Sequence, residues 1–155
     1  MNTIFPAIEE VLPHRGTMRL LDEVTAFTSE AATCAYTVDG TAWYAESFGG
    51  MPAWIGIELM AQTVAAHVSL LARREGRPVR PGALLGTRSF NSRRAAFAHG
   101  ERLSVSVRLE FRDDTGLGVY ECEIAVDETV VADAALKVFE PDDFDQFLAA
   151  GRNPS

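Results

Sequence analysis

The sequence predicts an α+β fold, one long helix wrapped by a curved antiparallel β-sheet, on three observations. One segment, from Pro52 to about Glu75, is apolar on nearly every side at three- and four-residue spacing. Further on, Leu103, Val105, Val107, Leu109 and Phe111 alternate without a break against Ser104, Ser106, Arg108 and Glu110. The order is a strand pair, the helix, then a run of strands, which differs from the β-α alternation of a parallel sheet.

Each element has its own warrant. Ala7 to Val11 reads as a short helical turn stopped by Pro13. Met18 to Thr28 and Ala31 to Val38 are rich in apolar and β-branched residues and read as a strand pair, parted by Ser29 and Glu30. Asp39 to Met51 is a loop punctuated by Gly40, Gly49 and Gly50. In the helix, Ile55, Leu59, Val64, Val68 and Leu71 interleave with alanines, Pro52 takes the first-turn position and Gly76 the C-cap. A helix hydrophobic all round has to be buried. Ala83 to Phe90 reads as a strand, Asp113 to Gly118 as a turn, and Tyr120, Cys122, Ile124 and Val126 as the inward face of another strand. Asp127 and Glu128 form a tight hairpin into a last strand, Val130 to Phe139. A final acidic helical turn, Asp142 to Ala150, offers Phe144, Phe147 and Leu148 to the body. Residues 1–150 are expected to form a single domain, with 151–155 a loose tail.

Composition narrows the function classes. The chain has 155 residues, 47% hydrophobic and 23% charged, the balance of one globular core. No run approaches the ~18 consecutive apolar residues of a membrane span, and no basic then apolar leader opens the chain, so a soluble cytoplasmic protein is expected. Cys34 and Cys122 lie in strand-like stretches and are expected to be buried, reduced thiols. A net charge of −8 disfavours nucleic acid and anionic membrane as partners. The positive charge is nevertheless concentrated. Arg73, Arg74, Arg77, Arg80, Arg88, Arg93 and Arg94 are seven of 14 basic residues, opposed in their segment only by Glu75, a local balance of +6. They read either as a solvated helix end and loop or as a docking patch for an acidic partner.

Among residues able to do chemistry, Glu58 stands out as a carboxylate within an apolar helix, near its N-terminus, with Gln62 at i+4 on the same face. It is either a carboxylate tied to Gln62 or backbone, or a group that handles a proton. His14 follows Pro13 in a loop and is expected to make a loop-stabilising hydrogen bond before serving as ligand or base. His67 lies more than two turns beyond Glu58 and cannot share its site, and His99 precedes Gly100 in a turn. No histidine pair has metal-ligand spacing, and Ser47 sits in no G-x-S-x-G elbow, so no metal, cofactor or Ser-His-Asp chemistry is expected.

Two blocks resemble a known family. Leu12-Pro13-His14-Arg15 followed by Leu20-Leu21-Asp22-Glu23-Val24 is similar to the opening of the β-hydroxyacyl-acyl-carrier-protein dehydratases of the FabZ/FabA type. Met51-Pro52-Ala53-Trp54-Ile55-Gly56-Ile57-Glu58-Leu59-Met60-Ala61-Gln62 resembles that family's approach to its central helix. The resemblance implies the hotdog fold, a long helix gripped by a curved sheet and dimerised edge to edge. It implies that Glu58 is the catalytic carboxylate and that the backbone N–H of Ala53 polarises the thioester carbonyl. Gln62 matches a helix glutamine common in the family, and Met51, Trp54 and Phe48 would line the acyl tunnel. The family histidine is missing, because its position falls on Tyr44, and a neutral tyrosine is a poor base near pH 7.

The same motif without its histidine resembles the dehydratase-like subunits of aryl-polyene gene clusters (ApeP type). The resemblance implies dehydration of a 3-hydroxyacyl thioester carried by an acyl carrier protein. It also implies a homodimer or a heterodimer with a second hotdog subunit, whose histidine would complete the site. Arg88, Arg93 and Arg94 would then steer the acidic carrier to the tunnel. A hotdog acyl thioesterase and a non-catalytic acyl-binding or scaffold subunit are the other readings.

Overall fold

The computed structural model describes residues 4–47, 49–79 and 83–140. In chain order the elements are α1 (Ile8–Val11), a 3₁₀ turn (Gly16–Met18), β1 (Glu23–Phe27), β2 (Ala31–Thr37), β3 (Met51–Pro52), α2 (Ile55–Arg74), β4 (Ala83–Ser92), β5 (Ala96–Phe97), β6 (Arg102–Arg112), β7 (Leu117–Val126) and β8 (Thr129–Phe139). Six strands form one antiparallel sheet in the order β1-β2-β6-β7-β8-β4, and α2 packs on its inner face. This is the α+β hotdog arrangement expected. The C-terminal helical turn expected over 142–150, together with Arg80 and Phe48, lies outside the described residues.

The long strands follow from alternation. Leu103, Val105 and Val107 point inward, as do Tyr120, Cys122 and Ile124 on the neighbouring strand, and all six are buried. Val105 sits opposite both Cys34 and Ile124, so three strands contribute one continuous layer beneath the helix. Asp127 and Glu128 both have positive φ, 48° and 68°, as a two-residue hairpin of the I′ type requires. Both thiols are free and buried, and burial pushes each up to about 12.

Two expectations shift. The stretch Met18 to Asp22 is a turn and an extended approach rather than strand, and β1 begins only at Glu23. Pro52 does not open the helix. It pairs with Ala96 in a two-stranded sheet of β3 and β5, and α2 begins three residues later. A proline has no N–H to give to a ladder, and on a two-residue edge it loses nothing. Gly76, with φ 69°, takes the left-handed position just after the C-cap Glu75, as read from the sequence. By length and composition α2 could cross a bilayer, but 67% of its most apolar window is buried inside the fold.

Buried polar side chains pin the helix at two points. Gln62 accepts hydrogen bonds from the Leu20 and Leu21 N–H groups (3.0 and 3.4 Å) and donates to the Met18 carbonyl (2.7 Å). It therefore satisfies an irregular segment that no strand partner serves. Five residues further along, about 1.4 turns, His67 bonds through Nε2 to the carbonyls of Thr28 and Ser29 (3.2 and 3.1 Å). Since carbonyls only accept, Nε2 carries the proton, and Nδ1 accepts from the Tyr120 hydroxyl at 2.8 Å.

Two tests follow. Gln62→Leu leaves two buried amides without an acceptor and should cost about 2–4 kcal/mol of stability, read as a lower urea midpoint. Burial holds His67 below the usual histidine value of 6.5, so the folded state keeps it neutral while the unfolded chain binds a proton. Its contribution is present above pH 6.5 and is lost as the pH falls below it. The urea midpoint should drop more from pH 7.5 to 5.5 in the parent than in His67→Asn. Equal drops would remove His67 as the cause.

Candidate functional site

The helix is not enclosed on every side. Glu58, Ala61, Ala65 and Val68 recur at three and four residues along α2 and form a stripe that floors an open groove of about 610 Å³. One wall is the end of α1 and the loop Leu12 to Arg15. The other is Val79, Leu84 of β4, and Val138, Phe139 and Glu140 at the end of β8. From Glu58 to Val68 the floor runs about 15 Å along the helix axis. The small side chains of the stripe keep the groove open.

Glu58 stands at one end. Its side chain is 41% exposed, so it is half-buried at the groove head rather than enclosed. Gln62 donates to its Oε1 at 3.0 Å. Because the Gln62 oxygen is taken by Leu20 and Leu21, its NH₂ has to face Met18 and Glu58, and the orientation of the amide is fixed. The resulting tether holds one carboxylate oxygen. Gln62 itself is fully buried and acts on Glu58 rather than opening onto the groove.

His14 is the residue whose placement the sequence did not reveal. Its Nε2 lies 3.9 Å from Glu58 Oε1, and its Nδ1 is buried without a hydrogen-bond partner among the described residues. The loop-stabilising role expected for it is performed by Arg15, whose guanidinium bonds back to the carbonyls of Leu12 and His14. Leu12, buried in the core, anchors the same loop. The L-P-H-R block was the available signal, but nothing in it points to a helix residue 44 positions away.

The other expected site residues scatter. The Ala53 N–H is already committed to the Ala95 carbonyl at 2.9 Å, in the ladder that Pro52 begins, so it is not free to polarise a thioester. That expectation is corrected: the two-stranded sheet, not a ligand, takes the amide. Met51 is fully buried opposite Phe97 and belongs to the core rather than to a tunnel wall. Trp54 caps α2 and is 63% exposed, outside the groove. Tyr44 is buried, its hydroxyl bonded to that of Tyr36 and to the Asp39 N–H. That phenol is part of a structural pair. His99 accepts from the Gly40 N–H at 2.7 Å, far in role from any chemistry.

The basic segment divides in the same way. Arg94 is forked onto Glu101, which raises the arginine and lowers the carboxylate through that hydrogen bond, and it stacks over Phe97. Arg77 pairs with Glu75 and Glu140 at the far end of α2, and Arg74 covers Phe27. Arg88 and Arg93, exposed on and beside β4, form no ion pair with a described residue. Of the three arginines expected to meet a carrier, Arg94 is thus spent inside the fold. Among the described residues no three histidine, cysteine, aspartate or glutamate side chains gather as a metal site.

Comparison with known proteins agrees with this architecture. No curated protein matches the sequence. The dehydratase heterocomplex ApeI:P from Xenorhabdus doucetiae contains a chain 25% identical, superposing with a TM-score of 0.86 over 94% of this chain and 98% of that one. A hypothetical thioesterase protein with coenzyme A from Streptococcus pneumoniae is 17% identical with a TM-score of 0.61, over 76% and 84% of the two chains. The Campylobacter jejuni virulence protein Cj0977 is 12% identical with a TM-score of 0.68, over 88% and 97%. These last two likenesses are of fold alone. The family model of the ApeP dehydratase matches residues 6–149, nearly the whole chain, and with the Glu58-bearing helix and the six-stranded sheet in place the chain belongs to the ApeP-like dehydratase family.

Proposed function

We propose that the chain is the acid-bearing subunit of a dehydratase acting on a 3-hydroxyacyl thioester presented by an acyl carrier protein, in aryl-polyene or fatty-acid type synthesis. The observation that carries this is Glu58, the carboxyl group at the head of a groove whose floor is otherwise alanine and valine. An acyl chain laid along Ala61, Ala65 and Val68 is removed from water, while its C3 hydroxyl meets the Glu58 carboxyl at the groove head, a group able to give it a proton. The reaction breaks the Cα–H bond, moves that electron pair into a Cα=Cβ double bond, and expels the hydroxyl as water with the proton of Glu58. The base for the α-proton is not Tyr44, whose hydroxyl is engaged by Tyr36 and Asp39.

A second hotdog subunit supplies that base. The outer edge of β4 has no partner strand among the described residues and carries exposed Leu84 and Leu85, and Leu84 also lines the groove. A subunit pairing along this edge covers apolar surface and roofs the groove in one step. The likeness to a chain of the ApeI:P heterocomplex supports a partner of this kind. Arg88 and Arg93 are the exposed cations on the same edge and are the positions proposed to attract the acidic carrier.

Mixing the chain with a histidine-bearing hotdog subunit should convert a 3-hydroxyacyl carrier thioester to the 2-enoyl thioester, followed by the absorbance of the conjugated product. Equal inactivity of mixture and parts, or release of free acid and thiol, would reject the assignment. In the mixture Glu58→Gln should lower the rate by roughly 10²–10⁴-fold. Arg88→Glu with Arg93→Glu should weaken carrier binding most at low salt, and an affinity unchanged at every ionic strength would discard that docking site.

A further inference from the structure

His14 is unused by the reaction above, and its surroundings assign it a task that rests on that reading. The ring is held from behind: Leu12 anchors the loop in the core and Arg15 fastens the carbonyls of Leu12 and His14. Nδ1 is buried with no partner among the described residues, and only the Nε2 edge faces the groove head. A neutral imidazole has one N–H and one lone pair. A buried N–H without an acceptor is the rarer and costlier of the two defects. The proton therefore belongs on Nε2, and His14 presents a donor, not a base.

The donor is aimed at a useful place. Nε2 and Glu58 Oε1 are 3.9 Å apart, too far for a direct hydrogen bond. An oxygen atom at ordinary hydrogen-bond distance from both, about 2.8 Å, fits between them. Gln62 tethers that same carboxylate oxygen by a 3.0 Å hydrogen bond.

We propose that His14 is a further catalytic residue: its Nε2–H and the Glu58 carboxyl together hold the C3 hydroxyl oxygen of the substrate. As the Cβ–O bond breaks, that oxygen takes the carboxyl proton and the electron pair of the bond, and the imidazole N–H stabilises the charge that develops on it before it leaves as water. The α-proton goes to the imidazole base of the second subunit, so His14 keeps its own proton throughout. Two-point capture also makes the pair a specificity device, since a thioester lacking the C3 hydroxyl leaves both groups without a partner.

The experiment uses the complex of this chain with its hotdog partner and a 3-hydroxyacyl thioester, measuring kcat and KM for three variants. His14→Ala should lower kcat by about 10²-fold, the loss typical of removing one such donor, with a smaller change in KM. His14→Gln places an amide N–H the same number of bonds from the backbone as Nε2 and should recover kcat to within roughly tenfold of the parent. A parental kcat in His14→Ala would overturn the proposal. So would a folded His14→Gln complex as slow as His14→Ala, because a merely structural loop residue gains nothing from a restored donor. Should His14→Ala fail to assemble, His14→Gln decides alone: a rate within tenfold of the parent supports the donor role, and a greater loss in an assembled complex overturns it. Glu58→Gln separates the two levels. If Glu58→Gln is as fast as the parent, or the parent complex itself yields no 2-enoyl thioester, the acid-bearing dehydratase reading fails; if Glu58→Gln is slowed while His14→Ala is as fast as the parent, only the role of His14 fails.

Discussion

One side-chain amide, that of Gln62, sets the geometry on which the site depends. Its oxygen takes two main-chain amides of the stretch leading into β1, and its nitrogen takes the Met18 carbonyl and the Glu58 carboxylate. The four contacts cannot be rearranged by flipping the amide, because a flip would oppose donors to donors at Leu20 and Leu21. A carboxylate on an exposed helix face ordinarily samples several rotamers. Here one of its oxygens is tethered by a buried amide whose every bond is met.

The same helix solves two competing demands. Most of its circumference is covered by the sheet, where Leu59, Met60 and Ala66 are buried without residue. A single stripe of small side chains is left uncovered, and it is this stripe that ends in Glu58. Larger residues there would fill the groove from below. Alanine at 61 and 65 therefore has a different meaning from alanine at 66 and 72: the first pair makes room, and the second lets the sheet approach the helix axis. The uncovered stripe shares its groove with Leu84 of β4, so the groove and the β4 edge, which has no partner strand among the described residues, form one continuous surface.

The strands were legible because a period of two with one wet face has no other stable use, and Leu103 to Val107 and Tyr120 to Ile124 face inward where the alternation places them, whereas the register shifts after Leu109, and Phe111 turns outward, 54% exposed. The helix was legible for the complementary reason, as was the position of Glu58 on it. The misses have one cause, contacts between residues remote in sequence. Pro52 has first-turn chemistry but pairs with Ala96, a partner no local pattern announces, and that pairing also consumes the Ala53 amide. The bond of Tyr44 to Tyr36 depends on how the loop folds back on β2. The approach of His14 to Glu58 depends on α1 packing beside α2, and four residues of α1 carry too little signal to fix that packing.

Under the proposed function the chain meets activated acyl groups, and a reactive thiol beside them would be acylated. Cys34 and Cys122 lie under the sheet with their sulfurs sealed from solvent, and burial keeps both protonated far above neutral pH. A thiol is a weak nucleophile where a thiolate is a strong one, so neither cysteine is poised to attack a thioester by exchange. The burial that gives the core its density therefore also leaves the thiols of the sheet chemically silent.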